Sequence, residues 1–181
     1  MKNTYIALLR GINVSGQKKI LMAEFREMLS TNGFENVRTY IQSGNVVFES
    51  DQSDANELGI KMEGLIVKHY GFEVPTLILT PQAMEQAVAE NPFIQNKDIN
   101  DEETYFTFLK ESPLPENISI FNEVSYPGET FELVGKVVYY HCAIGYGKAK
   151  LTNKMMEKKL GTRATTRNYK TTMKLINMTK N

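Results

Sequence analysis

Val37-Arg38-Thr39-Tyr40-Ile41-Gln42-Ser43-Gly44-Asn45-Val46-Val47-Phe48 reads as two short strands, 37–41 and 46–48, folded about a compact turn at 42–45. β-branched and aromatic residues fill both runs, while Gly and Asn accept left-handed backbone in the turn. Upstream, Leu21, Met22, Phe25, Met28 and Leu29 recur at helical spacing and Asn32-Gly33 supplies a stop, so a helix is expected over 21–29. A β-type run at 4–10 precedes it. Downstream, Leu58, Met62, Leu65, Ile66 and His69 form one stripe of a helix over 54–70, closed by Gly71. A strand at 75–79 follows, with Pro75 at its start, where a missing donor is tolerated. The order βαββαβ is the split unit of a ferredoxin-like plait, an antiparallel sheet with both helices on one face.

The second half repeats this order less cleanly. A connecting helix is expected over 81–90, a strand over 105–109 and a short helix over 114–121 beginning among Pro113 and Pro115. A hairpin around Gly135 joins 130–134 to 136–142. A helix over 152–160 ends at Gly161, and an extended piece at 162–167 leads into a last helix over 169–178. The chain is therefore expected to be α+β, with two ferredoxin-like subdomains at 1–80 and 103–181. A connecting helix and an acidic linker, 81–102, join them.

Of the 181 residues, 41% are hydrophobic and 23% charged, which is globular composition. No leading signal segment is evident and no apolar run reaches the roughly 18 residues of a membrane helix, so a cytoplasmic protein without a membrane partner is expected. The single Cys142 excludes an intramolecular disulfide framework, and with two His residues makes a His/Cys metal site an unfavourable reading. No metal ligand set and no cofactor are assigned. Charge is uneven along the chain. Residues 148–181 hold ten Lys/Arg and one acid, whereas 1–147 hold eleven bases and twenty acids. Such a basic block suits a polyanion, an anionic ligand, or the protein's own acidic half.

Four stretches bear on chemistry. The loop from Arg10 to Lys19 has Gly11 and Gly16 at phosphate-loop spacing, but Gln17 and Lys18 stand where that loop needs Lys and Ser/Thr. It is read as a turn or a generic ligand loop holding Arg10 and Asn13. In the second stretch Gln42, with Arg38 and Tyr40, is expected on one polar strand face; Ser43 and Asn45 suit the turn equally well. The third, Gly145 to Asn153, opens a helix behind glycines with Lys148 and Lys150 nearby. In the fourth Arg167 precedes Asn168, a natural N-cap, and a cation at a helix N-terminus is unfavourable unless an anion arrives. His69 is read as core or helix-end packing, and His141 and Cys142, adjacent in a strand, point to opposite faces. The acidic stretch 98–103 lacks the glycine of a calcium loop and reads as a solvated connector.

These motif blocks resemble the bacterial domain-of-unknown-function family 1697. They are Tyr5 to Val14, Arg38 to Phe48, Gly145 to Asn153, and Thr165 to Asn168. Ser15 stands where that family's loop commonly reads Gly, and Tyr169 where Trp is common. The resemblance implies two plait-like α+β subdomains and brings no catalytic residue with it. The function expected is binding of a small anionic ligand, phosphorylated or carboxylated, a nucleotide among the candidates, in a cleft between the halves. Arg10, Asn13, Gln42, Ser43 and Asn45 would supply one wall and Lys148, Lys150, Arg167 and Asn168 the other. One alternative is nucleic acid on the basic C-terminal face, with Phe48, Tyr139 or Tyr140 as stacking groups. The other is a non-catalytic interaction module. No base or nucleophile is identified, no reaction is assigned, and oligomeric state is left open.

Overall fold

A computed structural model describes residues 2–93 and 101–180. They divide into two units, one built from residues up to Glu85 together with the C-terminal stretch from Lys174, the other from residues between Gln86 and Met173. In the first unit the order is β1 (Asn3–Leu9), α1 (Met22–Thr31), β2 (Glu35–Tyr40), β3 (Asn45–Ser50), α2 (Ala55–Tyr70) and β4 (Thr76–Leu79). Helix α3 (Pro81–Ala89) leads out of it. The second unit contains β5 (Thr104–Leu109), α4 (Pro115–Asn122), β6 (Glu129–Val134), β7 (Val137–Cys142), α5 (Asn153–Leu160) and β8 (Ala164–Asn168). Helix α6 (Tyr169–Thr179) follows and finishes in the first unit.

The sheets run β2-β3-β1-β4 and β6-β7-β5-β8, every neighbour antiparallel. Both therefore have the expected plait topology. In the first, Tyr5, Ala7 and Leu9 of β1 and Val46 and Phe48 of β3 share a core with Phe25, Met28 and Leu29 of α1 and Leu58, Met62 and Ile66 of α2. Strand alternation and helical period converge on one face, and a side chain such as Phe25, wholly buried, contributes about 2–3 kcal/mol of transfer free energy. Ile6, Leu8 and Val47, which alternate to the opposite face, are buried too. The second unit packs Leu109, Val138, Tyr140 and Cys142 against Phe121 of α4 and Met156 and Leu160 of α5.

The two units repeat each other in detail. Leu9 N donates to Gly44 O at 2.8 Å, and Leu109 N to Lys136 O at 2.9 Å. The first amide of each β4-type strand meets a helix carboxylate: Thr76 N to Glu63 Oε1 at 2.8 Å, and Ala164 N to Glu157 Oε1 at 2.9 Å. Asp54 caps α2 and Thr152 caps α5, while Gly71 and Gly161 end them in the left-handed conformation. The units differ in where they carry long loops. The first has residues 10–21 between β1 and α1; the second has 143–152 between β7 and α5.

Several expectations need revising. Gln42 does not extend β2, because Ile41 takes φ 48° and the strand ends at Tyr40. Gln42 thus leaves the alternation of Arg38 and Tyr40 and enters the turn. Of the two roles expected for His69, the structure gives helix-end packing and not core: it is exposed, its ring edge-on to Tyr70 at 4.6 Å at the end of α2. Residues 98–100 of the acidic connector lie outside the described residues; 101–103 form a single 3-10 turn. The uneven charge along the chain does not follow the two units. The first unit's share of the sequence holds ten bases and ten acids, the second's eleven of each. Among the described residues no helix is long and apolar enough to cross a membrane.

Candidate functional site

The β1–α1 loop is a small hairpin and not a phosphate loop. Val14 and Gln17 bridge, and Ser15 and Gly16 take φ 50° and 75°, the signs of a type I′ turn. Positive φ at Ser15 is a conformation Gly adopts without cost, which suits the Gly common there in the resembled family. Lys18 reaches Glu73 O at 2.6 Å. Asn13 is the loop's staple. Its Nδ2 donates to Ile20 O at 3.0 Å and Gln42 O at 2.8 Å, and its Oδ1 accepts from Ile20 N at 2.9 Å. Asn13→Ala should therefore cost about 2 kcal/mol, from two part-buried bonds at roughly 1 kcal/mol each and an exposed one worth less. Urea unfolding checks this, and a loss under about 0.5 kcal/mol refutes the staple.

By tying the loop to the turn, Asn13 closes a pocket of about 330 Å3 lined by Asn13, Gly16, Lys19, Ile20, Leu21, Met22 and Gln42. Helix α1 starts at its wall. Leu21 occupies the N-cap position, so no side chain caps α1, unlike α2 and α5. The first amides of a helix carry partial positive charge, and Lys19, exposed on the same wall, adds a full one. Glu24 in the first turn offsets part of this. Ile20, Leu21 and Met22 make the remaining lining apolar, with Leu21 65% exposed. The site can thus hold an anionic head, hydrogen bonds from Gln42, and an apolar body.

The other residues expected in the first unit surround this turn. Asn45 is fully buried and its Nδ2 spans the hairpin to Tyr40 O at 3.2 Å and Ser43 Oγ at 3.0 Å. Ser43 and Asn45 thereby shape the turn that presents Gln42. Arg10 donates its main-chain N–H to Pro75 O at 3.0 Å, beside β4. Lys19 and the apolar trio were missed by the sequence reading. Lys19 lay within the loop under consideration, but nothing in one sequence marks which loop lysine faces a pocket.

In the second unit the residues 143–152 are held down by Glu129 at the start of β6. Its carboxylate accepts from the Tyr140 hydroxyl at 2.6 Å, Lys150 N at 2.9 Å and Leu151 N at 2.9 Å. Burial alone would raise the carboxyl pKa. The Tyr140 hydroxyl and the two amides, aided by the Lys150 charge, outweigh burial and hold it below its ordinary value. Lys150 Nζ lies 5.8 Å above the Tyr126 ring, and Lys148 is exposed in a 3-10 turn. Tyr146 stacks on Tyr105 at 4.7 Å. Arg167 keeps some surface in solvent, yet its guanidinium is desolvated and its pKa pushed down to about 10, opposed by Tyr146. It remains a cation at neutral pH and donates to Thr166 O at 2.8 Å. Asn168 Oδ1 accepts from Thr171 N at 2.9 Å, so it caps α6 as its sequence position suggests.

Phe48, Tyr139 and Tyr140 are fully buried and present no stacking face to a base. Tyr139, whose buried hydroxyl has no hydrogen-bond partner among the described residues, has its pKa pushed up to about 12 by desolvation and by Glu90 and Glu132. His141 Nε2 lies 3.0 Å from Glu103. No group of three potential metal ligands occurs among the described residues.

A family model described as protein of unknown function (DUF1697) matches residues 2–139. The chain belongs to that family. The DUF1697 match takes in the whole β1–α1 loop, the 41–44 turn and the pocket they form. Lys148, Lys150, Arg167 and Asn168 lie beyond the matched residues, so the two C-terminal motif blocks are not part of it. The chain is also similar to a solved structure, the conserved bacterial protein SP0830 from Streptococcus pneumoniae. Identity is 28% and the TM-score 0.77, over 98% of this chain and 99% of that one. No curated protein matches the chain.

Proposed function

We propose that this DUF1697 protein binds a small anionic ligand, a carboxylate or phosphate on a partly apolar body, in the pocket at the start of α1. The observation that carries this reading is the convergence of two separately notable stretches. The 10–21 loop and the 41–44 turn meet through Asn13 and Gln42 around a space of about 330 Å3. Lys19 and the uncapped start of α1 give that space its positive end, and water-exposed helix amides favour anions. Ile20, Leu21 and Met22 favour a ligand with hydrocarbon to bury.

Thermal unfolding at low salt against nucleotides, sugar phosphates, short carboxylates and short RNA tests this. A ligand at 100 times its dissociation constant stabilises by about 2.7 kcal/mol, or roughly 5–10 °C for a chain of this size. Lys19→Ala and Gln42→Ala should abolish the shift, and Lys148→Ala in the second unit should leave it intact. A panel that moves no melting temperature, or a shift that survives Lys19→Ala, removes the reading. A shift from RNA alone would transfer the function to nucleic-acid binding.

A further inference from the structure

Helix α2 turns Leu58, Met62 and Ile66 to the core and leaves the opposite side apolar along its middle. Ile60 is 57% exposed and Val67 43% exposed. Between them, at i+4 and i−3, stands Gly64, and a Cβ built there would meet nothing within 4 Å. The fold itself gives Gly64 no reason to be glycine, and glycine weakens a helix interior relative to alanine. Gly59 differs, since its Cβ would touch Ile78 and the Thr76 carbonyl at 3.6 Å. An exposed helix glycine flanked by two β-branched side chains is a place where another backbone can come close.

The charges on α2 say which backbone. The first turn carries Glu57, and the last turn carries Lys68 and His69. Lys61, on the same side, is occupied within the chain, its ammonium 5.0 Å above the Phe34 ring. A helix acidic at one end and basic at the other is complementary to a reversed copy of itself. A parallel copy would set like charges together.

We propose that the outer face of α2 is a docking surface for a second copy of this chain, packed antiparallel about a two-fold axis near residues 62 and 63. Ile60 of each copy then seats over Gly64 of the other. Glu57 and Lys68, eleven positions and about 16 Å apart along the helix, meet their counterparts twice, once at each end. The surface is separate from the α1 pocket and does not depend on the ligand proposed there.

Sedimentation equilibrium of the full chain, from about 1 to 100 μM at low salt, tests the pairing, with melting curves to verify that each variant is folded. The wild type should dimerise, less tightly as salt screens the end pairs. Ile60→Glu should leave a monomer. Glu57→Lys and Lys68→Glu should each weaken association by about tenfold, as loss of two symmetric ion pairs does. The two swaps together should restore it, because each altered end meets an altered partner. A monomer at every concentration overturns the proposal. So does a dimer indifferent to Ile60→Glu, or one that the combined swap fails to recover.

Discussion

Gly44→Ala should destabilise the protein by about 4 kcal/mol, the largest single-residue loss expected in the first unit. A Cβ at position 44 would lie 2.6 Å from the Leu9 Cβ, 3.1 Å from the Leu9 carbonyl oxygen and 3.2 Å from Ile12 Cδ1. The two nearest of these atoms belong to Leu9 of the central strand β1 and cannot swing aside as a flexible chain end could. The left-handed backbone at φ +82° costs an L-residue roughly 1–2 kcal/mol, and overpacking adds about 1–3 kcal/mol. Relief would stretch the 2.8 Å bond from Leu9 N to Gly44 O, worth about 1 kcal/mol. Gly16→Ala separates these effects. Gly16 has φ +75° but no atom within 4 Å of a Cβ, so about 1 kcal/mol is expected. Melting should fall by roughly 8–16 °C for Gly44→Ala. Equal losses at the two positions would show that the close approach of β1 is not what matters.

Glu129→Ala should cost about 3–4 kcal/mol by stranding three donors at once. The Tyr140 hydroxyl and the Leu151 amide are buried, so water cannot replace the carboxylate cheaply. Hydrogen exchange at the Lys150 and Leu151 amides should accelerate with the loss. Adding Tyr140→Phe should recover part of it, since the stranded hydroxyl then disappears. The same carboxylate makes stability pH-dependent. Its folded pKa lies below the ordinary 4.5, so the unfolded state binds the proton more readily. The contribution is complete above that ordinary value and declines as pH falls through the lower folded one. Glu129→Ala should accordingly flatten the acid limb of the stability curve. An unchanged limb would mean that Glu129 is not the group responsible.

The fold was legible because its signals are local and mutually consistent. The apolar period of α2 and its Gly71 stop place the same helix. The paired runs about Gly44 dictate a hairpin, which β1 joins along β3 and β4 extends on the far side of β1. The sites were less legible, for two reasons. Asn13, Ser43, Asn45 and Asn168 have polar side chains in loops and turns, which suits ligand binding and main-chain stapling equally. For Asn13 the bond that distinguishes these roles runs to Gln42, whose proximity depends on the tertiary fold. Ile41 misled more directly. A β-branched residue is a poor candidate for positive φ, so the sequence pattern sets Gln42 on one face with Arg38, a placement that the φ of 48° at Ile41 breaks. Glu129, the clamp of the second unit, left no signal at all. Its partners lie 11, 21 and 22 positions away, and nothing in a lone acid before a strand indicates that loop amides will converge on it. The charge asymmetry was real as composition but was drawn along the wrong cut, since the units do not divide where the charge does.

That division has a consequence for synthesis. The first unit draws on residues up to Glu85 and again from Lys174, where Lys174 lies 6.0 Å above the Tyr40 ring and Lys180 reaches Glu85 at 3.0 Å. A ribosome emitting roughly 5–20 residues per second interposes the 88 residues of the second unit, a delay of about 4–18 s. During that interval the first plait, whose four strands end at Leu79, stands without the C-terminal stretch from Lys174, while the later-born unit, contiguous in sequence, is completed first.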